Sequence, residues 1–371
     1  PDRIAKDTFL KKEIAKLSVF AKSFNSSLLW EPWKIKNKSG NFYKVFTPFF
    51  KKGCLETDQP RTPFKKPKKL SLLKLFKKDK IYKFKFQNSK DKWYSKFEKI
   101  WDISEVAAKS NFNNFLENGA SDYSEGRNFP YKNSVSKISA YLHWGQISPF
   151  RVWHEANNRM FGSHKEIFLS ELGWREFSYH LLYHYPKINK QNLKEQFNKL
   201  DWNVNEQHLS KWKKGKTGFP IVDAGMRELW ETGYMHNRLR MITASFLVKN
   251  LLIHWKEGEK WFWDCLLDAD LANNSASWQW VAGTGSDAAP FFRIFNPITQ
   301  GQKFDKDALY IKKYLPEIAK LPKKFIFTPW LADKETLKNA NVTLGVDYPY
   351  PIIDYSSSRK KALDAFKKIS N

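Results

Sequence analysis

Cysteine is scarce in this chain, with only Cys54 and Cys265 among its 371 residues. Two cysteines exclude a disulfide scaffold and a cysteine-rich zinc site, and they suit a reducing compartment. Long apolar runs are also missing. The stretch around residues 241–255 is interrupted by Lys249 and Asn250, and it falls short of the roughly 18 apolar residues that a membrane-spanning helix needs. No signal peptide is recognisable, so we expect no membrane segment.

Several catalytic motifs are absent as well. The sequence contains no G-x-G-x-x-G, no P-loop, no G-x-S-x-G and no H-E-x-x-H, which leaves little support for a nucleotide kinase or a hydrolase. The histidines His143, His180, His184 and His236 have no convincing ligand set in the sequence around them. We expect each to be structural, and we predict no metal site.

Basic residues exceed acidic ones. The chain has 64 Lys and Arg against 38 Asp and Glu, a net charge of +26. Such an excess favours a polyanionic partner such as nucleic acid, with an anionic membrane surface as the alternative. Aromatic residues make up 16% of the chain and include 16 Trp, so many indoles are expected to pack in the core or stack on a ligand.

Composition divides the chain into three regions. Residues 1–35 suggest a short α/β piece, in which an amphipathic stretch leads into Ser18-Val19-Phe20-Ala21, and we expect the last unit of a larger sheet there. Residues 36–104 contain turn signals and a basic run from Lys65 to Lys85. This run predicts a solvated linker, and an arm that binds nucleic acid or a membrane is the alternative. Because the chain begins at Pro1 rather than Met, we expect a fragment or a processed product.

Residues 105–371 are predicted to form one helical domain. Helical periodicity occurs in segments separated by Gly, Pro, Asn and Asp, namely 106–118, 151–160, 165–184, 220–233, 236–255, 257–267 and 306–319. Alternating strand patterns are scarce. The predicted fold class is therefore mainly α, and a domain of roughly 260 residues is large enough to enclose a ligand.

Polar side chains cluster on one face of the segment 236–255. Asn237, Arg240 and Met241 are spaced i, i+3 and i+4, so they share one helix face. A buried Arg240 needs a counterion, and Asp268 and Asp270 are the acidic candidates downstream. A purely structural ion pair is the alternative.

A second cluster lies in the segment 165–184. Glu171, Trp174 and Ser178 share a helix face, with Arg175 beside them. A carboxylate, an indole and a guanidinium together suit a planar, hydrogen-bonding ligand such as a base, and a core tryptophan beside a Glu–Arg pair is the alternative. The hydroxyl-rich loop at residues 134–139 is suited to cradle an anion, although an ordinary helix N-cap explains it equally well.

Five strings of this sequence resemble the DNA photolyase/cryptochrome family, and specifically the class I cyclobutane pyrimidine dimer photolyases. They are ELGWREF at 171–177, GKTGFPIVDAGMR at 215–227, TGYMHNR at 232–238, DADLANNSASWQW at 268–280 and DAAPFFRIFNP at 287–297. The resemblance is strong over roughly residues 120–320 and looser on either side. It implies an α/β antenna domain, here almost entirely absent, then a long linker and a helical domain that holds FAD.

The resemblance also implies a light-driven reaction. In this family, excited reduced FAD donates an electron to a pyrimidine dimer flipped out of UV-damaged DNA, the cyclobutane ring splits, and the electron returns. An antenna chromophore of the folate or deazaflavin type would accompany FAD, and the sequence does not identify it. A monomer in a bacterial-type cytoplasm, associated with the nucleoid, is expected.

Positions that match FAD contacts of the family form a large set. They are Tyr123, Val135, Ser136, Lys137, Ile138, Ser139, Phe168, Arg175, Asn237, Arg240, Asp268, Ala269, Asp270 and Asn274. The resemblance pairs Arg240 with Asp268, places Asp270 at the isoalloxazine edge and places Asn274 beside flavin N5. Val135 departs from the usual Thr of the family.

The same resemblance predicts a dimer pocket, DNA contacts and an electron path. The catalytic pocket would contain Glu171, Trp174, Asn237, Met241 and Asn274. The DNA contacts would be Arg127, Glu171, Trp174, Arg175, Asn237, Arg293 and Gln300. Trp278, Trp255 and Trp202 would pass electrons from the surface to photoexcited oxidised flavin.

Two other functions stay open. A cryptochrome-like blue-light receptor would bind FAD without repairing DNA, although Asn274 and Trp174 are both typical of photolyases. A basic nucleic-acid-binding module without a cofactor is the other alternative, and an absorption spectrum would distinguish it from both flavoproteins.

Overall fold

The computed structural model describes residues 2–69 and 92–370. Within these residues the only β pairing is an isolated bridge between Leu344 and Tyr348, so the predicted mainly α fold class is confirmed. The α-helices of six or more residues are α1 (Asp2–Lys16), α2 (Glu105–Asn118), α3 (Ser139–Trp144), α4 (Pro149–Arg159), α5 (Gly162–His184), α6 (Glu206–Lys213), α7 (Pro220–Thr232), α8 (Asn237–Ser245), α9 (Trp255–Cys265), α10 (Leu271–Ala282), α11 (Pro297–Phe304), α12 (Leu309–Tyr314), α13 (Lys334–Asn339) and α14 (Tyr355–Ser370), and Phe49–Leu55 forms a π-helix. In the described part, no helix is long and apolar enough to cross a membrane.

Local sequence signals set the ends of α7. Pro220 occupies its first turn, where a missing N–H breaks no intrahelical hydrogen bond. Gly233 follows its last residue with φ +68°, a left-handed conformation that glycine adopts without strain. The predicted segment 220–233 therefore agrees with the structure to within one residue.

Two of the predicted helices are interrupted. The segment 236–255 becomes α8, a π-helical stretch at Phe246–Asn250 and a turn in which Leu252 has φ +53°. Apolar residues are buried on both sides of this turn, so periodicity alone did not reveal it. The segment 306–319 shrinks to α12, because Pro316 disfavours helical backbone at the preceding residue.

The α/β piece expected in residues 1–35 contains no strand. Helix α1 covers the amphipathic stretch, while Ser18-Val19-Phe20-Ala21 has no regular structure beyond a turn at Ser18. Strand residues need partners for their N–H and C=O groups, and none pairs with them among the described residues. The described residues 2–35 therefore contain no paired strand, and their assignment as a remnant of an α/β antenna domain stays a prediction.

Part of the predicted linker, residues 36–104, belongs to the hydrophobic core. Phe46, Phe49 and Phe50 are buried against α2, α4 and α5. Gly173 of α5 allows this approach, because an added Cβ would lie 2.4 Å from the Phe50 ring. The basic run that starts at Lys65 continues beyond residue 69, outside the described residues. The three domain boundaries stay predictions.

Two apolar clusters flank the site. One is built mainly by α6 to α10 and α12, and the other by α2, α4 and α5 with the segment 29–54. Helix α10 packs against both α5 and α9. Side chains on the facing sides of these helices line a cavity between the two clusters.

Candidate cofactor and DNA site

One cavity of about 640 Å³ lies between α5, α8 and α10. It brings together every predicted cofactor-binding and catalytic residue. Its lining includes Tyr123, Val135, Ser136, Lys137, Ile138, Ser139, Phe168, Glu171, Trp174, Arg175, Asn237, Arg240, Met241, Asp268, Ala269, Asp270 and Asn274. The individual roles of these residues stay predictions.

Asp268 has one satisfied and one unsatisfied carboxylate oxygen. Its Oδ2 accepts hydrogen bonds from Arg240 Nη2 at 2.8 Å and from Ser139 Oγ at 2.6 Å. Its Oδ1 is buried and has no hydrogen-bond partner among the described residues. A buried acceptor without a donor is unfavourable, so Oδ1 is suited to a donor on a bound ligand.

Arg240 is a fixed cation in the wall of the cavity. Its Nε donates to the carbonyl of Met235 at 2.8 Å. Burial opposes the charged form, but the neighbouring Asp268 carboxylate outweighs burial and raises the pKa of Arg240. The guanidinium therefore stays protonated and favours negative charge on whatever occupies the cavity.

Asp270 is held by donors on both oxygens. Oδ1 caps α10 by accepting from the backbone N–H of Asn273 at 2.8 Å, and Oδ2 accepts from the hydroxyl of Tyr179. His143 Nδ1 lies 3.7 Å from Oδ2. Burial raises the pKa of Asp270, but the hydrogen bonds outweigh it and lower the pKa overall. Asn274, one turn into α10, is fixed by its hydrogen bond to the carbonyl of Glu259 at 3.0 Å.

The loop before α3 is bent tightly around the cavity. Lys137 has φ +50°, in the left-handed region, and the N–H of Ile138 donates to Ser136 Oγ at 3.4 Å. Gly126 packs beneath this loop, since an added Cβ would lie 2.4 Å from Ser134 Oγ. Such a turn presents hydroxyl and amide groups together, which suits an anionic group such as a phosphate.

Trp174 forms an aromatic wall of the cavity. Its ring stacks on Phe46, with centroids 3.8 Å apart and planes at 10°. The N–H of Phe46 donates to Asp287 Oδ2 at 2.8 Å, and Asp287 also lines the cavity. Because Phe46 covers one face of the indole, only the opposite face is available to a ligand.

The predicted DNA contacts divide into two groups. Arg127 lines the cavity and pairs with Glu171 at 2.7 Å, with both side chains partly exposed. Arg293 and Gln300 do not line the cavity. Arg293 is exposed on the loop after α10, and Gln300 is half-buried on α11. Contact of these residues with DNA stays a prediction.

Sequence reasoning missed Arg238 and Trp280, which both line the cavity. Burial and the nearby Arg127 and Arg293 lower the pKa of Arg238, and among the described residues no carboxylate forms a salt bridge with it. Its place beside Asn237 in the TGYMHNR string was the available signal. Trp280 was hidden by its spacing of two from Trp278, because i and i+2 do not share a helix face.

The three predicted electron carriers form an ordered series. Trp278 lines the cavity, and its ring packs against Gly258, where an added Cβ would lie 2.1 Å away. Gly258 follows the fully buried Trp255 by three residues on α9. The ring of His254 lies 5.5 Å from that of Trp255 and 4.8 Å from that of Trp202. The series thus leads from the cavity to the half-buried Trp202.

Two models of known protein families match this chain and indicate which ligand the cavity binds. A family model described as the FAD binding domain of DNA photolyase matches residues 168–368, more than half of the chain, and a model described as DNA photolyase matches residues 1–68. The chain belongs to the photolyase/cryptochrome family. The family predicted from the five strings is thereby confirmed, and FAD is the cofactor.

Several photolyases and cryptochromes are similar to this chain over nearly its whole length. A deoxyribodipyrimidine photo-lyase of Agrobacterium fabrum is 45% identical over 100% of this chain and 78% of its own length. The crystal structure of a class III photolyase from Agrobacterium tumefaciens is 44% identical with a TM-score of 0.94, covering 100% of this chain and 77% of that one. A cryptochrome structure from Synechocystis sp. PCC6803 is 29% identical with a TM-score of 0.81, covering 98% and 77%.

The cavity fits the cofactor of the family. The buried, unpartnered Asp268 Oδ1 offers an acceptor, the Arg240 cation suits an electron-rich ring, and the bent loop at 135–139 suits the phosphates. Within residues 2–69 and 92–370, no group of three or more His, Cys, Asp or Glu is arranged to hold a metal ion.

Proposed function

We propose that this chain repairs cyclobutane pyrimidine dimers in UV-damaged DNA in a light-dependent reaction. The observation that carries the proposal is the single cavity in which the polar group around Asp268 and the aromatic wall of Trp174 lie together. Relatives named deoxyribodipyrimidine photo-lyase support it, one of them 45% identical over the whole chain.

The cofactor and the substrate need adjacent places in one site. Bound reduced FAD, excited by blue light, would supply the electron that splits the dimer. Arg240 favours negative charge in the inner part of the cavity, and the Asp268 carboxylate orients a donor group there.

The outer part of the cavity would take the flipped dimer. Extrusion of a target nucleotide is general among enzymes that act on bases, photolyases included. The uncovered face of Trp174 would stack on the pyrimidines, and the Glu171 carboxylate would accept a hydrogen bond from a base N–H. The ion pair with Arg127 orients that carboxylate before substrate arrives.

Phosphates of the DNA would be bound around the cavity. Arg238 carries a charge without an acidic partner among the described residues, and the pKa effects of Arg127 and Arg293 on it indicate that the three cations lie close together. A cluster of arginines is suited to bind phosphate. The net charge of +26 extends this attraction over the surface.

The finer assignments are also proposals. The five strings predict class I, whereas the whole-chain likeness to the class III photolyase of Agrobacterium tumefaciens supports that subgroup instead. We further propose a monomer that acts on nucleoid DNA in the cytoplasm. The likeness to a cryptochrome keeps a blue-light receptor as the second candidate.

A repair assay separates these candidates. The purified chain is loaded with FAD, chemically reduced and mixed with an oligonucleotide that contains one thymine dimer, and dimer loss is followed by chromatography in blue light and in the dark. Repair in light alone supports a photolyase. FAD binding without repair indicates the receptor, and DNA binding without retained FAD indicates the cofactor-free module.

A further inference from the structure

A second cavity, of about 550 Å³, lies at the outer end of the tryptophan series. The loop after residue 200, the end of the π-helical segment and the start of α14 enclose it. Its apolar lining includes Trp202, Val204, Leu252 and Ile353, and its polar lining includes His208, Asn250, Asp354 and Lys361. The repair reaction proposed above gives this cavity no task.

Two buried polar atoms at this cavity lack partners among the described residues. Asn250 is 5% exposed, and its Nδ2 donates to Ser358 Oγ at 3.0 Å, whereas its Oδ1 is unpartnered. Nδ1 of His208 is also buried and unpartnered. Burial and the nearby Lys211 lower the pKa of His208, so its imidazole is neutral. A small ligand with two O–H donors would satisfy both atoms.

The wall of this cavity contains strained backbone. Leu252 has φ +53°, a conformation that is unfavourable for a residue with a Cβ. It is held there because its carbonyl accepts from the N–H of Asn203 at 2.7 Å, while Asn203 Nδ2 donates to the carbonyl of Leu251 at 3.3 Å. Strained residues of this kind persist where surroundings hold them and cluster at functional sites.

We infer that this cavity binds a small, neutral diphenol-type reductant that restores Trp202 after Trp202 has given up an electron. The inference rests on the proposed role of Trp202 as the outermost carrier. A single aromatic ring suits the apolar lining beside the indole, and its two hydroxyls suit Asn250 Oδ1 and His208 Nδ1. Side chains of both charge signs, Asp201, Asp354 and Lys361, are exposed at the rim, which favours a neutral ligand over an ion.

The step balances in electrons and protons. When Trp202 loses an electron towards the interior, its indole releases the Nε1 proton to water and becomes a neutral radical. The bound diphenol then gives one electron and one proton, so that one O–H bond breaks and the Nε1–H bond forms again. The resulting phenoxyl radical leaves, and two such radicals disproportionate to one diphenol and one quinone.

Kinetics distinguish a bound reductant from a colliding one. Decay of the tryptophan radical is followed by absorption after a blue flash, using the FAD-loaded chain and rising concentrations of hydroquinone. We expect the decay rate to saturate, with half-saturation shifted at least about tenfold upwards in His208→Leu. Gln207→Leu, an exposed neighbour outside the cavity, should match the wild type. A rate that rises linearly with hydroquinone would overturn the inference.

Binding in the dark separates this inference from the electron path itself. Ligand-observed NMR with hydroquinone and the FAD-loaded chain should show contact that His208→Leu removes and Gln207→Leu retains, with circular dichroism confirming that both variants fold. No contact at millimolar hydroquinone would refute the site. If Trp202→Phe still forms the surface radical, the proposed carrier role of Trp202 fails and the functional inference fails with it, even where dark binding is seen.

Discussion

The indole of Trp174 lies flat against the phenyl ring of Phe46, at 3.8 Å between centroids and 10° between planes. The two residues are separated by more than a hundred positions, and Asp287, from a third part of the chain, holds the backbone of Phe46. The wall on which a pyrimidine would stack is thus assembled from three distant segments. The rigidity of this wall depends on Phe46, which lies in the region 36–104 that composition predicts to be a linker.

Loss of Phe46 should weaken recognition of damage. In Phe46→Ala the Trp174 ring loses its support, and we expect dimer-containing DNA to bind about twofold to tenfold more weakly, since an aromatic pair contributes about 0.5–1.5 kcal/mol. Binding is measured by gel shift with damaged and undamaged duplexes. Phe49→Ala is the matched control, because Phe49 is also buried but does not stack on Trp174. Equal loss of damage preference in both variants would mean that Phe46 acts only through stability.

Trp174 itself should carry much of the preference for damage. Trp174→Ala removes stacking worth about 1–3 kcal/mol per base, so the affinity for dimer-containing DNA should fall by roughly 5- to 150-fold with little change for undamaged DNA. Trp263→Ala, at an exposed tryptophan of α9, serves as control. An unchanged ratio of damaged to undamaged affinity would remove Trp174 from the dimer pocket.

Trp255 should be needed for photoreduction and not for repair. Trp255→Phe interrupts the series between Trp278 and Trp202, so bound oxidised FAD should no longer be reduced by light, as followed by its visible absorption. Repair by chemically reduced enzyme should persist. Trp212→Phe is a demanding control, because Trp212 is also fully buried and its ring lies 6.2 Å from that of Trp278. If Trp212→Phe loses photoreduction and Trp255→Phe keeps it, the electrons reach Trp278 through Trp212 and not through Trp255.

Arg238 should contribute to phosphate binding. Arg238→Ala is expected to weaken binding of every DNA sequence to a similar degree and to lower the slope of log affinity against log salt by about one, because one fewer phosphate is neutralised. Arg151→Ala is the comparison, since Arg151 is paired with Glu155 on the surface of α4. An unaltered salt slope in Arg238→Ala would contradict a phosphate contact.

Glu176 should make stability depend on pH. It accepts from the N–H groups of Leu29 and Trp30 and pairs with Arg175, yet burial outweighs these donors and raises its pKa from 4.5 to about 7. The folded state therefore binds more protons than the unfolded state between these values, so this contribution to stability is present below pH 4.5 and is lost as the pH rises to about 7. The loss is on the order of 3 kcal/mol at most.

Urea unfolding at several pH values tests this relationship. Glu176→Gln removes the titrating group while keeping an acceptor for Leu29 and Trp30. The stability of the wild type relative to Glu176→Gln should thus be greater at pH 5 than at pH 8. A difference that does not change over this range would show that Glu176 ionises as it does in the unfolded chain.

Local patterns predicted the site better than its surroundings. Helical spacing alone groups Glu171 with Trp174, because the two residues are neighbours on one helix. A buried Arg240 needs a counterion such as Asp268, because an unpaired buried charge is unfavourable. The contact of Phe46 with Trp174 and the break at Leu252 depend on packing between distant segments, which spacing does not encode. The segment around Phe20 has no strand partner among the described residues, and spacing along the chain does not encode such a partner either.

The most direct test of the account is a crystal structure of the chain with bound FAD. We predict one FAD inside the cavity of α5, α8 and α10, with its ring beside Asp270 and Asn274, a ring or ribityl donor on Asp268 Oδ1, and Trp174 at the opening. FAD bound outside this cavity, or a ring remote from Asn274, would contradict the account.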